Sequence, residues 1–163
     1  MTQVSAIRWP ERFDPGHAPV HVRNELAIAA PASVVWAWLL RAERWPEWYP
    51  NCSGVHVETA SAPDLAAGAR FRWSTFGVRL VTTVEEFEPG ERIAWRAVSL
   101  GVDAYHAWLV EPRGSEGCWV LTEETQYGVL ARLGALVFPR RMFAGHALWL
   151  ERLARRAATG LPR

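Results

Sequence analysis

His106 and Glu124 are the two residues of this chain best placed to move protons. They stand in two alternating runs, 102–111 and 118–127, on either side of a short loop at 112–117. Their distances from that loop are similar, so a hairpin makes them cross-strand or diagonal neighbours. Both fall on the inward phase of their strands. A histidine beside a glutamate in an apolar pocket can serve as an acid–base pair: burial raises a carboxyl pKa, and each group shifts the other. Thr122 and Thr82 can add hydrogen bonds to a ligand carbonyl. The plainer alternative is that the pair satisfies itself and ties two strands together.

Other chemistry is thinly represented. The chain has no lysine, which removes side-chain Schiff bases and Walker-type phosphate loops. No His/Cys/Asp cluster has zinc-like spacing, and the aspartates are only Asp14, Asp64 and Asp103, so no metal is expected. Neither G-x-S-x-G nor G-x-G-x-x-G occurs, and no cofactor is expected. His17 and His56 read as surface residues, His21 as a strand-edge residue, and His146 as a structural member of a helix layer. Cys52 and Cys118 read as packed thiols.

The elements that must position the pair follow from periodicity. A strand over 21–29 precedes a helix over 32–42, opened by Pro31, and a second helical turn over 45–50. Strands then follow at 54–59, 69–75, 78–87, 92–99, 102–111 and 118–127, with hairpin-length links and no crossover helix. An amphipathic helix over 130–158 closes the chain, and Pro139 kinks it or splits off its first turns. Alternation points Phe71, Trp73, Leu80, Thr82 and Val84 inward from the first hairpin. Trp95, Trp108 and Thr122 join His106 and Glu124 from the later strands, and Phe138, Met142 and Trp149 face them from the helix. With ten tryptophans in the chain, such a cavity is either lined or filled by indole rings.

At 163 residues and net charge +1, the chain reads as one domain, residues 20–160, after an extended lead-in at 1–19. Half of the residues are hydrophobic, but no apolar run reaches membrane-spanning length, so integral membrane contact is not expected. The near-zero charge gives no electrostatic case for nucleic acid. The start of the chain lacks a secretory pattern, and a cytoplasmic location is the expectation.

Several segments in this order resemble the START-like, or SRPBCC, superfamily, which includes polyketide cyclases and lipid-transfer domains. They are APASVVW at 30–36 with WPEWYP at 45–50, VEEFEPGERIAW at 84–95, TEET at 122–125, and 140–153 with His146 and WLE at 149–151. The resemblance implies an α+β helix-grip fold: a curved seven-stranded antiparallel sheet wrapped around a long C-terminal helix, with two short helices after the first strand. It also implies a hydrophobic small-molecule ligand, possible polyketide cyclase or dehydratase chemistry, and a cavity between sheet and helix. Three functions then compete: binding of an apolar, aromatic or polyketide-like ligand; cyclase chemistry with His106 and Glu124 moving protons; and a filled core serving protein interaction.

Overall fold

The computed structural model describes residues 6–163. Seven strands form one antiparallel sheet: β1 (Val20–Ile28), β2 (Cys52–Val57), β3 (Arg70–Thr75), β4 (Val78–Glu88), β5 (Arg92–Ser99), β6 (Val102–Pro112) and β7 (Cys118–Tyr127). Their spatial order is β1-β7-β6-β5-β4-β3-β2. Strands β2 to β7 run as a meander, and the first strand lies beside the last. The chain must therefore travel from one sheet edge to the other between β1 and β2. Helix α1 (Ala32–Leu40) and a short 3-10 turn (Ala42–Glu47) make that journey. Pro31 stands at the N-cap of α1, where the missing N–H costs nothing. Val35, Trp36, Trp38 and Leu39 bury α1, while Trp45 carries the 3-10 turn into the core.

One expectation needs correction. The sheet is not strongly curled. It is an open sheet with β1 and β2 at opposite edges, and no pairing joins them. The closing helix is split at Pro139, as its sequence predicts. It is α2 (Val129–Val137) and α3 (Arg141–Ala157), broken at Phe138-Pro139-Arg140. Pro139 cannot donate to the helical ladder, and its ring displaces the preceding turn. The backbone of α3 packs on β1 and α1. Side chains of α3 such as Trp149 and His146 reach the middle strands, and a cavity lies between them. No helix among the described residues is long and apolar enough to cross a membrane.

Each face of the sheet buries its own cluster. The inner face holds Phe71, Trp73, Trp95 and Trp108 against Trp45 and Trp149. The outer face holds Tyr105, Leu109 and Leu121, sealed by Ile7, Trp9 and Phe13 of the lead-in. At the β3–β4 hairpin, Phe76 (φ 52°) and Gly77 (φ 79°) both take the left-handed conformation that a tight two-residue turn requires. An aromatic residue there is strained. Its ring lies over Gly145, where a Cβ would come within 2.4 Å of Phe76 Cζ. The small residue on α3 thus makes room for the Phe76 ring.

Candidate functional site

A cavity of about 270 Å³ lies between the inner face of the sheet, α2 and the first turns of α3. Trp73, Leu80, Trp95 and Ala104 wall it from the strands. Leu130, Gly134, Phe138 and Met142 wall it from the helices. Trp149, His106, Glu124 and His146 also line it. Of the residues assigned inward by alternation, Phe71, Thr82, Val84, Trp108 and Thr122 are buried but stand outside this lining. Phe71 and Trp108 pack against other aromatic rings of the core. Thr82 accepts the indole N–H of Trp73 at 2.9 Å. The tryptophans therefore do both jobs: Trp73, Trp95 and Trp149 line the space, while Trp45 and Trp108 fill the core behind it.

The polar part of the wall is built on the β6–β7 register. His106 and Glu124 stand directly opposite each other. His106 Nδ1 lies 3.2 Å from Glu124 Oε2. From α3, His146 Nε2 approaches the same oxygen at 3.2 Å. Gln126 donates to Glu124 Oε1 at 2.5 Å. The far nitrogen of His106, Nε2, is 2.7 Å from Thr122 Oγ1. An ionised carboxylate can only accept, so the nitrogens facing Glu124 carry the protons. Nε2 of His106 then accepts the Thr122 hydroxyl, and the Nδ1 of His146 is left buried without a hydrogen-bond partner among the described residues. Alternation and loop length find His106 and Glu124. They cannot find His146, which comes from another element. Its signal is the helical spacing of His146, Trp149, Leu150 and Leu153, all buried on one side of α3.

The electrostatics of the group differ from the simple expectation of a raised carboxyl. Burial does push Glu124 upward, but His106, His146 and Gln126 outweigh it and hold the carboxyl below its usual range. Burial likewise drives the His106 imidazole below its usual range, which keeps it neutral near pH 7, although Glu124 pulls the other way. Both shifts carry the same sign in folding. A depressed group binds fewer protons in the folded than in the unfolded state, so its contribution is present above the unfolded pKa and fades as pH falls. The thermal midpoint should therefore decline below about pH 6.5, where an unfolded histidine charges, and more steeply below about pH 4.5. Melting curves from pH 8 to pH 4 test this. His106→Gln should flatten the slope between about pH 5 and 6.5. A midpoint that rises on acidification would mean that His106 is protonated in the fold.

Donor atoms of His106, Glu124 and His146 lie within 4.8 Å of one another, near enough for a shared metal ion. Ring orientation argues against one. The two imidazoles are stacked, 7° from parallel, with centroids 4.7 Å apart. Coordination requires the in-plane lone pair of each ring to point at one ion, and stacked rings direct theirs along separate planes. The arrangement suits two imidazoles crowding one anion. A second buried carboxylate, Glu123, faces the other side of β7. It is met by His21 at 2.9 Å and Arg23 at 2.6 Å, and it belongs to the outer surface of the sheet. The cysteines, Cys52 and Cys118, are buried free thiols. Burial pushes the Cys52 thiol up to about 12, which leaves it unreactive.

Comparison with known proteins agrees with this geometry. The family model "Polyketide cyclase / dehydrase and lipid transport" matches residues 19–160. The fold is similar to that of the hypothetical protein jhp0584 from Helicobacter pylori, with TM-score 0.87, 34% identity, and 96% of this chain and 99% of that one covered. It is similar to TTHA0849 from Thermus thermophilus, with TM-score 0.70 and 21% identity over 86% of this chain and 98% of that one. It also resembles the di-domain aromatase/cyclase StfQ of the steffimycin biosynthetic pathway, with TM-score 0.69 and 17% identity over 86% of this chain and 51% of that one. No curated protein matches the sequence at a significant level.

Proposed function

The chain belongs to the polyketide cyclase/dehydrase and lipid transport family, and from that premise we propose that it binds a small apolar ring compound bearing one polar donor group. The observation that carries this reading is an aromatic-walled cavity whose ionised group is a buried carboxylate, Glu124, held by His106, His146 and Gln126 rather than by water. Its volume, about 270 Å³, falls just below the range that holds drug-sized ligands. A one- or two-ring molecule fits that space, and an extended acyl chain does not. The apolar walls supply affinity, while Glu124 selects a hydroxyl or another donor on the ligand rim.

A single experiment tests size and polarity together. Intrinsic tryptophan fluorescence is titrated with 2-naphthol, naphthalene and palmitate. Quenching by 2-naphthol, weaker quenching by naphthalene, and none by palmitate are expected, because Trp73, Trp95 and Trp149 line the space. Ala104→Phe narrows the cavity from a buried strand position and should weaken 2-naphthol binding by about tenfold or more, the worth of a lost apolar group of this size. Strong palmitate binding, or no quenching by any of the three, would overturn the reading.

A second reading rests on a specific feature, the two imidazoles on either side of Glu124. In a cyclase or dehydratase reaction of a short poly-β-ketone, His106 and Glu124 form a proton-transfer pair. The pair takes an α-proton, the enolate carbon closes a six-membered ring onto a carbonyl further along the chain, and the new alkoxide regains the proton. The pair then takes the second proton from the same α-carbon and delivers it to the hydroxyl, which leaves as water while the C=C bond forms. His146 then serves as a positioning residue that holds the carboxylate. General acid–base catalysis of this kind contributes about 10²- to 10⁴-fold.

A further inference from the structure

Helix α2 is apolar on both sides. Its inner side, Leu130, Ala131, Gly134 and Ala135, roofs the cavity. Its outer side carries Val129, Leu133, Leu136 and Val137 at helical spacing, and these are open to solvent, Leu136 at 78% and Val129 at 68%. Leu100, 91% exposed, stands beside the start of the helix, because the Gly101 carbonyl accepts the backbone N–H groups of Leu130 and Ala131. Phe138 continues the exposed surface past the C-terminus of α2. A contiguous face of this kind marks a contact site.

The charges around the face identify the partner. From Gly128 to Leu150 the sequence contains no aspartate or glutamate, and its cations are Arg132, Arg140 and Arg141, all exposed. A second copy of this chain docking here would bring those arginines together with no acid in the segment to meet them. A surface that is anionic outside and apolar within satisfies both features at once. Nine helical residues span about 14 Å, far short of a bilayer but enough to lie in its headgroup layer.

We infer that the outer face of α2, flanked by Arg132, Arg140 and Arg141, docks on an anionic phospholipid surface. The inference stands on this face alone and holds whether or not the cavity binds 2-naphthol.

Co-sedimentation with vesicles tests it. Vesicles of phosphatidylcholine and phosphatidylglycerol in equal parts are compared with pure phosphatidylcholine, at low salt and in 0.5 M salt. The full chain should partition at least tenfold better onto the anionic vesicles, and salt should weaken that binding. Leu133→Glu combined with Leu136→Glu, both outside the cavity lining, should reduce binding at least tenfold. Its circular dichroism and its 2-naphthol quenching should stay at the level of the unmodified chain. Arg132→Glu with Arg140→Glu should weaken anionic binding and leave the low affinity for phosphatidylcholine unchanged. Failure to sediment with anionic vesicles overturns the inference. So does sedimentation velocity that shows a dimer which the leucine variant dissolves, since a second copy would then be the occupant.

Discussion

Trp149→Ala is expected to lower stability by about 3–5 kcal/mol, the usual cost of deleting a fully buried tryptophan side chain. Trp149 stands where three parts of the fold meet. It stacks on Tyr49 from the segment after the 3-10 turn, 12° from parallel with centroids 4.6 Å apart. It meets Trp45 edge-on at 5.2 Å and Trp108 of β6 at 5.1 Å. It also touches Trp73 of β3 and His106 of β6. Because the backbone of α3 packs on β1 and α1, this side chain is the helix's main reach to the far strands. Its removal enlarges an existing cavity rather than collapsing a tight core, so relaxation recovers little of the loss. At this chain length, about 2–4 °C of midpoint accompanies each kcal/mol. A fall of roughly 10 °C in a thermal melt is the expected result. A midpoint within about 3 °C of the unmodified chain would show that α3 is held by β1 and α1 alone.

Glu124→Ala should act on both stability and chemistry. The carboxylate is the common acceptor facing His106, His146 and Gln126. Deleting it leaves buried donors unpaired, which costs about 1–3 kcal/mol for a group of this kind. Because burial keeps His106 neutral here, the loss should be smaller than for breaking a buried pair of full charges. The midpoint should fall by several degrees, and preference for 2-naphthol over naphthalene should disappear while binding of the naphthalene ring persists. If the cyclase reading holds, poly-β-ketone turnover should also drop by about 10²-fold or more. Glu124→Gln separates the two effects: it keeps an acceptor oxygen and most of the stability but cannot take a proton. Unchanged ligand preference in both variants would remove Glu124 from the binding site.

The parts legible in the sequence are those governed by local rules. Period-two alternation and a short loop place His106 opposite Glu124, as the β6–β7 register bears out. Pro139 marks the break between α2 and α3 because a missing N–H acts on its own neighbours. What escaped depends on the spacing between layers. His146 joins the Glu124 group only because α3 descends at the right point, and no spacing within either segment encodes that. Alternation gives Phe71 and Trp73 the same inward phase, yet one is packed among core rings and the other lines the cavity. The depth of the aromatic plug decides between them. The degree of curl in the sheet is likewise a sum of small twists along many strands, and no single residue announces it.

The lead-in has a practical meaning for anyone who cuts this gene by the limits of its family match. That match begins at residue 19. Upstream of it, the rings of Phe13 and Trp9 sit against Tyr105, the Phe13 carbonyl accepts the hydroxyl of Thr125, and the Ala6 carbonyl accepts Arg92. A fragment trimmed to 19–160 would keep every strand and every cavity residue, yet it would turn Tyr105, Leu109 and Leu121 out into water as one sticky plane. Such a product would be expected in inclusion bodies. A fragment that keeps residues 6–18 should stay soluble where the 19–160 fragment does not, because the ring pair of Trp9 and Phe13 still covers Tyr105.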